Sequence, residues 1–227
     1  MTVEKEGEMT DLYLVRHGQA AFGTNNYDRL TVRGEQQAKV LGQHWQDLGW
    51  SFSQAFSGKM QRQRHTGTLA LPAPTGYQSL QAFDEYDARA LLNAFLPTAI
   101  QPGQSVREFQ ARLDAALLAW INAGEEAPEH LPESWPVFFT RVIEGLQQVV
   151  DQAGFADRLV VFTSAGTIAA AVTQVLGLPA QGFLALNRRI YNASVTHLHF
   201  GRSGFALVSY NDVTPLRQVA EDLVTYR

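Results

Sequence analysis

Two short apolar runs constrain this chain more than anything else in it. Leu12–Val15 and Leu159–Thr163 are each long enough for one buried strand. Each stops abruptly at a tripeptide ending in glycine: Arg16-His17-Gly18 after the first, Ser164-Ala165-Gly166 after the second. Runs this continuous lack the alternation of a half-solvated sheet and read as interior strands with both faces covered. The second passes directly into an apolar helical segment, Ile168–Leu176, closed by Gly177. Strands alternating with helices in this way imply an α/β sheet. In such sheets ligands sit beyond the carboxyl ends of the strands, which is where both tripeptides fall.

The rest of the chain fills in around these strands. Thr31 is placed to cap a helix carrying Ala38, Leu41, Trp45 and Leu48 on one face, with Gly49 as its stop. Ala55-Phe56-Ser57 reads as a second short strand, and Lys59–Leu69 as a basic, helix-compatible segment ended by Pro72 and Pro74. Residues 75–103 show no clear period. Two amphipathic helices follow, one with Val106, Phe109, Leu113, Leu117 and Trp120, the other with Phe139, Val142, Leu146 and Val150. An acidic, Pro-containing loop, Gly124–Pro136, separates them. The end reads as a hairpin, with Val195–Phe200 and Phe205–Tyr210 flanking Gly201-Arg202-Ser203-Gly204.

Composition narrows the chemistry. There is no cysteine, which excludes disulfides, thiolate nucleophiles and Cys-ligated zinc. A formal net charge of −4 gives no global attraction to nucleic acid or to anionic lipid, so neither is an expected partner. Any polyanion must be held by a local arginine cluster. The acidic start MTVEKEGEMTDLYLV lacks both the basic flank of a signal peptide and an apolar run long enough to span a membrane, and a cytoplasmic location is the default. Met9 offers a second start, which would leave residues 1–8 as a disordered tail.

Arg16-His17-Gly18 is the first place to look for a reaction. Arginine presents a fork of donors suited to phosphate and keeps its charge at any working pH. A neutral imidazole beside it can attack phosphorus in line. Gly18 would let the backbone approach an anion closely. Leu14-Val15-Arg16-His17-Gly18-Gln19 resembles the opening signature of the histidine phosphatase superfamily, also called phosphoglycerate mutase-like. The resemblance continues through Leu30-Thr31-Val32-Arg33-Gly34-Glu35-Gln36-Gln37-Ala38, then Ser57 to Thr66 with Arg62, then Phe83-Asp84-Glu85-Tyr86-Asp87.

That resemblance implies one domain over residues 1–227: a three-layer α/β/α sandwich around a mostly parallel central sheet, with a helical insertion or cap at about 90–150. It implies His17 as a nucleophile that forms a transient phosphohistidine, Arg16 and Arg62 as phosphate ligands, and Glu85 as the acid that protonates the leaving oxygen. Gly18, Ser164 and Ala165 would complete the substrate pocket. A carboxyl acting as an acid near neutrality needs a raised pKa, from burial or from like charges such as Asp84 and Asp87, which also leaves the donor's identity open among the three. No metal or other cofactor is expected.

Two departures stand out. The family has a second His, followed by Gly, after the strand matching Val160–Thr163; here Ser164 occupies that place. A hydroxyl donates one hydrogen bond but brings no imidazolium charge, and losing a donor from an oxyanion site costs about 10²–10³-fold in rate. The helix N-terminus near Gly166 still offers N–H groups to an anion. The segment Asp87-Ala88-Arg89-Ala90 also lacks the Glu-Gly stretch of the family's mutases. Aromatics of the insertion (Phe95, Phe109, Trp135, Phe138, Phe139) could line an organic cleft, but read better as the insertion's own core.

Among the remaining histidines, His197 and His199 are two apart on one strand face, a spacing that can bind metal but reads as a solvent-facing stripe. His65 could reach the pocket rim, His44 reads as exposed, and Arg64 as a surface residue. The expected function is hydrolysis of a small phosphomonoester through His17, without a metal and with weak turnover. The alternative is an impaired phospho-ligand or phosphoprotein binding module that keeps the Arg16, His17 and Arg62 pocket. The partner is a small phosphorylated substrate or inorganic phosphate. The oligomeric state is open, a dimer among the options.

Overall fold

The computed structural model describes residues 9–21, 28–72, 76–97, 106–154 and 157–226. The expected tail at 1–8 lies outside them, as do Pro74 and residues 98–105. Along the chain come β1 (Thr10–Arg16), α1 (Val32–Asp47), β2 (Gln54–Ser57), α2 (Gln61–Ala70), β3 (Gln78–Ser79), α3 (Ala88–Phe95) and α4 (Val106–Ala123). They are followed by α5 (Trp135–Asp151), β4 (Arg158–Thr163), α6 (Ala165–Val175), α7 (Gly182–Asn187), β5 (Val195–Gly201), β6 (Gly204–Asp212) and α8 (Thr214–Val219). The short helices α7 and α8 carry too few turns to show a period in the sequence.

The strands form one six-stranded sheet in the order β3-β2-β4-β1-β5-β6. β3, β2, β4 and β1 run parallel, while the C-terminal hairpin β5-β6 adds antiparallel to β1. The sheet is therefore mostly parallel at its centre. The two apolar runs lie side by side, with Leu12 opposite Leu159 and Arg16 opposite Thr163, so both end level at one edge.

Alternation along these strands feeds two cores. Tyr13, Val15, Val160 and Phe162 pack against Leu41 and Trp45 of α1 and Ala70 of α2. Leu12, Leu14, Leu159 and Val161 face the other way, against Ile168 and Val172 of α6, Val142 and Leu146 of α5, and Leu117 and Trp120 of α4. Burying side chains of this size contributes about 1.5–3 kcal/mol each. The α4 and α5 helices thus share a core with the sheet itself.

Their aromatics fill that core. Trp135 lies 4.8 Å from Phe183 and Trp120 5.4 Å from Phe138, ring centre to ring centre, with Tyr86 packed among them. Phe95, Phe109 and Phe139 pack against the same cluster, so these rings do not form a free cleft wall.

The α1 helix begins as its sequence predicts, with the Thr31 hydroxyl accepting from the Gly34 N–H at 3.0 Å. Buried Gln37 then ties it to both chain ends. Its Oε1 accepts from the Gln19 N–H, and its Nε2 donates to the Leu223 carbonyl and the Thr225 hydroxyl.

Candidate active site

The level ends of β1 and β4 place the two tripeptides together. The His17 N–H continues the pairing one step past β1 by donating to the Thr163 carbonyl at 2.8 Å. Its imidazole is almost wholly buried, at 3 % exposure. Arg62, in the first turn of α2, points its Nε at His17 Nε2, 3.1 Å away. An arginine only donates, so Nε2 must be the acceptor and carries no proton. The proton therefore sits on Nδ1, which donates to the Gly18 carbonyl at 2.7 Å. Burial, with the charges of Arg62 and Arg16 beside it, holds this imidazole well below its ordinary pKa. The result is a neutral ring with its lone pair fixed on the outer nitrogen.

Glycine at position 18 has a different use from the one expected. A Cβ there would lie 2.3 Å from the Gly34 carbonyl oxygen, so the residue lets the turn after β1 cross α1. The Gly18 N–H is taken by the Thr66 hydroxyl of α2 at 3.0 Å. The close approach it allows is thus to backbone.

The acidic trio separates into three roles. Asp87 caps α3 by accepting from the Arg89 and Ala90 N–H groups. Asp84 takes the Lys59 N–H, and burial raises its pKa. Glu85 lies at the start of α6, where its Oε2 accepts from the Gly166 N–H at 3.0 Å. Burial pushes its carboxyl above the ordinary value, against the pull of that N–H, of Arg62 and of Arg16. Repulsion from Asp84 and Asp87 is not among the causes, which corrects the expectation that like charge would contribute. Gly166 is needed for this contact, because a Cβ there would meet Glu85 Oε1 at 2.1 Å and the Tyr86 ring at 2.5 Å.

Ser164 caps the N-terminal side of α6 in extended geometry and is fully buried. Its hydroxyl accepts from Gln63 Nε2 at 2.9 Å; the same amide donates to the Phe83 carbonyl. Gln63 therefore occupies the space beside Ser164. Ala165 follows it as the first helical residue.

Arg16 lies at the end of β1, and its Nη1 donates to the carbonyls of Ile190 and Tyr226. Arg64 is exposed, and His65 and His44 are half-buried. His197 and His199 depart from the solvent-facing stripe expected of them, since both turn toward Asp11.

Sequence reasoning missed Asp28 and Gln63. Asp28 accepts from the Gln61 and Arg62 N–H groups, capping α2 from outside the helix. Its carboxylate also holds Arg62 Nη1 at 2.8 Å. The guanidinium that touches His17 is thus already partnered by an anion. Nothing local marks either residue, because their partners lie 34 and 101 positions away.

Beyond Arg16, an open cleft of about 770 Å³ is lined by Arg107, Gln110, Arg188, Arg189, Tyr191 and Tyr226, among others. No helix among the described residues is long and apolar enough to cross a membrane.

A family model for the histidine phosphatase superfamily (branch 1) matches residues 12–213. The chain belongs to this superfamily. Phosphoryl transfer of the phosphatase or mutase type is the chemistry that membership indicates. Solved structures agree in fold. A mutant phosphoserine phosphatase from Entamoeba histolytica, in complex with phosphoserine, is similar with a TM-score of 0.68 at 16% identity, over 91% of this chain and 99% of that one. Phosphoglycerate mutase from Bacillus anthracis is similar with a TM-score of 0.66 at 19% identity, over 95% and 98%. A mycobacterial glucosyl-3-phosphoglycerate phosphatase with inorganic phosphate gives 0.65 at 22%, over 90% and 98%. A search among curated protein sequences finds no match.

Proposed function

We propose that this histidine phosphatase superfamily member hydrolyses a small phosphomonoester through a phosphohistidine at His17. The observation that carries this reading is the state of the ring: neutral, with Nε2 unprotonated and aligned by Arg62. In the first step the Arg62 Nε–H turns from Nε2 to a phosphoryl oxygen, the freed Nε2 lone pair attacks phosphorus, the bond to the ester oxygen breaks, and the leaving oxygen takes the proton held by Glu85. In the second, water attacks the phosphohistidine, gives its proton to Glu85, and the N–P bond breaks to release phosphate. Arg16 and Arg62 neutralise the charge on the phosphoryl oxygens, and the start of α6 with Ser164, Ala165 and Gly18 shapes the pocket.

A poised nucleophile with an acid of raised pKa suits turnover better than simple binding. Ser164 in place of an imidazole, and Asp28 on Arg62, suit slow turnover. The cleft beyond Arg16 carries Arg107 and Arg189, with Arg188 paired to Asp114 across it, and suits a polar organic portion of the ester.

A panel of phosphomonoesters tests this with wild type and His17→Ala, together with rapid quenching to trap acid-labile phosphoprotein. Wild type should hydrolyse at least one ester and form phosphoprotein, and His17→Ala should do neither. Equal hydrolysis by both proteins would overturn the assignment, and phosphate binding without hydrolysis would establish the binding module instead.

A further inference from the structure

At the opposite end of β1 from the pocket lies a second cluster that the phosphatase chemistry does not use. The register of β1 and β5 sets Asp11 opposite His199 and Tyr13 opposite His197. Side chains two apart share a face, so the two histidines and Asp11 converge. His197 Nε2 lies 2.8 Å and His199 Nε2 2.9 Å from the same oxygen, Oδ1 of Asp11. All three donor atoms fall within 4.8 Å of one another.

The donors are held in place. Tyr13 stacks on the His197 ring at 4.3 Å with planes 12° apart. The Asp11 N–H is bonded to the Asp157 carbonyl at 2.9 Å. The side chains are 16 % exposed for His197 and 30 % for each of the other two, so one side of the cluster is open to water.

We propose that Asp11, His197 and His199 bind a divalent transition-metal ion of the zinc class, with water completing the shell. Two imidazole nitrogens and one carboxylate oxygen favour zinc, cobalt or nickel over magnesium or calcium, which prefer all-oxygen sets. Ligands about 2.0–2.2 Å from a tetrahedral zinc sit roughly 3.3 Å apart. The present spacing therefore needs only small rotations of the rings and carboxylate. Each ring moves its proton from Nε2 to Nδ1 on binding, so no proton is released.

The site is separate from the phosphate pocket. Five residues of extended strand, about 17 Å, divide Asp11 from Arg16. A bound ion would link the start of β1 to the C-terminal hairpin, joining residues 186 apart in sequence. One feature opposes it: Arg158 is the register partner of Asp11 on β4. Its guanidinium is stacked 4.5 Å over Trp50, and its charge keeps the affinity moderate.

The test titrates zinc into metal-free wild type, followed by calorimetry and by nitrogen NMR of the histidine rings. One equivalent should bind, shift the signals of two of the six histidines, and raise the melting temperature. Asp11→Asn and His199→Ala should each weaken binding by more than about tenfold, with the far-UV spectrum reporting that they fold. Where a variant fails to fold, the ring signals of the wild type still decide. The proposal fails if no ring signal moves, if the shifted signals belong to histidines other than 197 and 199, or if zinc binds the His197→Ala/His199→Ala protein equally well.

Discussion

The ends of β1 and β4 lie side by side, and each stops at a tripeptide closed by glycine, yet they have been equipped in opposite ways. At β1, side chains carry the chemistry: His17 holds an oriented lone pair and Arg16 a charge. At β4, the backbone does, because Ser164 is turned into the interior against Gln63 while the Gly166 N–H meets Glu85. The glycines differ in the same sense. Gly18 makes room for another helix, whereas Gly166 makes room for a carboxylate. One strand end carries the proposed nucleophile, and its neighbour seats the carboxyl proposed as the acid.

The largest effect should come from separating these two halves. Glu85→Gln should lower kcat by about 10²–10⁴-fold while leaving His17 intact. The pH dependence follows from the two shifts. His17 must be unprotonated and has a depressed pKa, so activity survives as pH falls through 6.5. Glu85 must be protonated and has a raised pKa, so activity declines as pH rises above that value. A pH profile of kcat/KM in which the alkaline limb persists unchanged in Glu85→Gln would remove Glu85 from the acid role.

An intermediate effect tests whether β4 can be equipped like β1. Ser164→His alone forces an imidazole into space filled by Gln63 and should cost about 1–3 kcal/mol of stability. Ser164→His combined with Gln63→Ala opens that space and should raise turnover about tenfold or more. If the double variant folds and is no faster than wild type, the β4 end has diverged beyond the exchange of one residue.

The smallest effect concerns the charge on Arg62. Asp28→Asn keeps one acceptor oxygen for the N-terminus of α2 but removes the anion at Arg62 Nη1. Affinity for inorganic phosphate, measured by competitive inhibition or calorimetry, should rise roughly three- to tenfold. Unchanged or weaker affinity would mean that Asp28 orients Arg62 without competing for it.

Apolar runs and periodicity located β1, β2, β4, the α1 cap, the long helices and the terminal hairpin, because burial on one face writes itself into a local pattern, whereas β3 and α3 fell in a stretch without a clear period. The motif around His17 marked the proposed nucleophile for the same reason, at the end of such a run. What stayed hidden is set by partners far away in sequence. A buried Gln63 reads like an exposed one until Ser164 is beside it. Asp28 looks like a loop residue until α2 arrives. Asp11 looks like a strand flank until β5 sets two histidines against it. The aromatics of α4 and α5 were legible as core residues, though not as residues of the same core as the sheet.

The shell around His17 is closed by residues 192–226. The Ala193 N–H and the Asn192 amide bind the His17 carbonyl, Tyr226 receives Arg16, and Leu223 and Thr225 receive Gln37. During synthesis, β1 leaves the ribosome well before these supports do. A nascent or interrupted chain therefore carries the Arg-His-Gly motif without the setting that orients it. The setting around His17 is complete only once the chain has been made through residue 226 and folded back on β1.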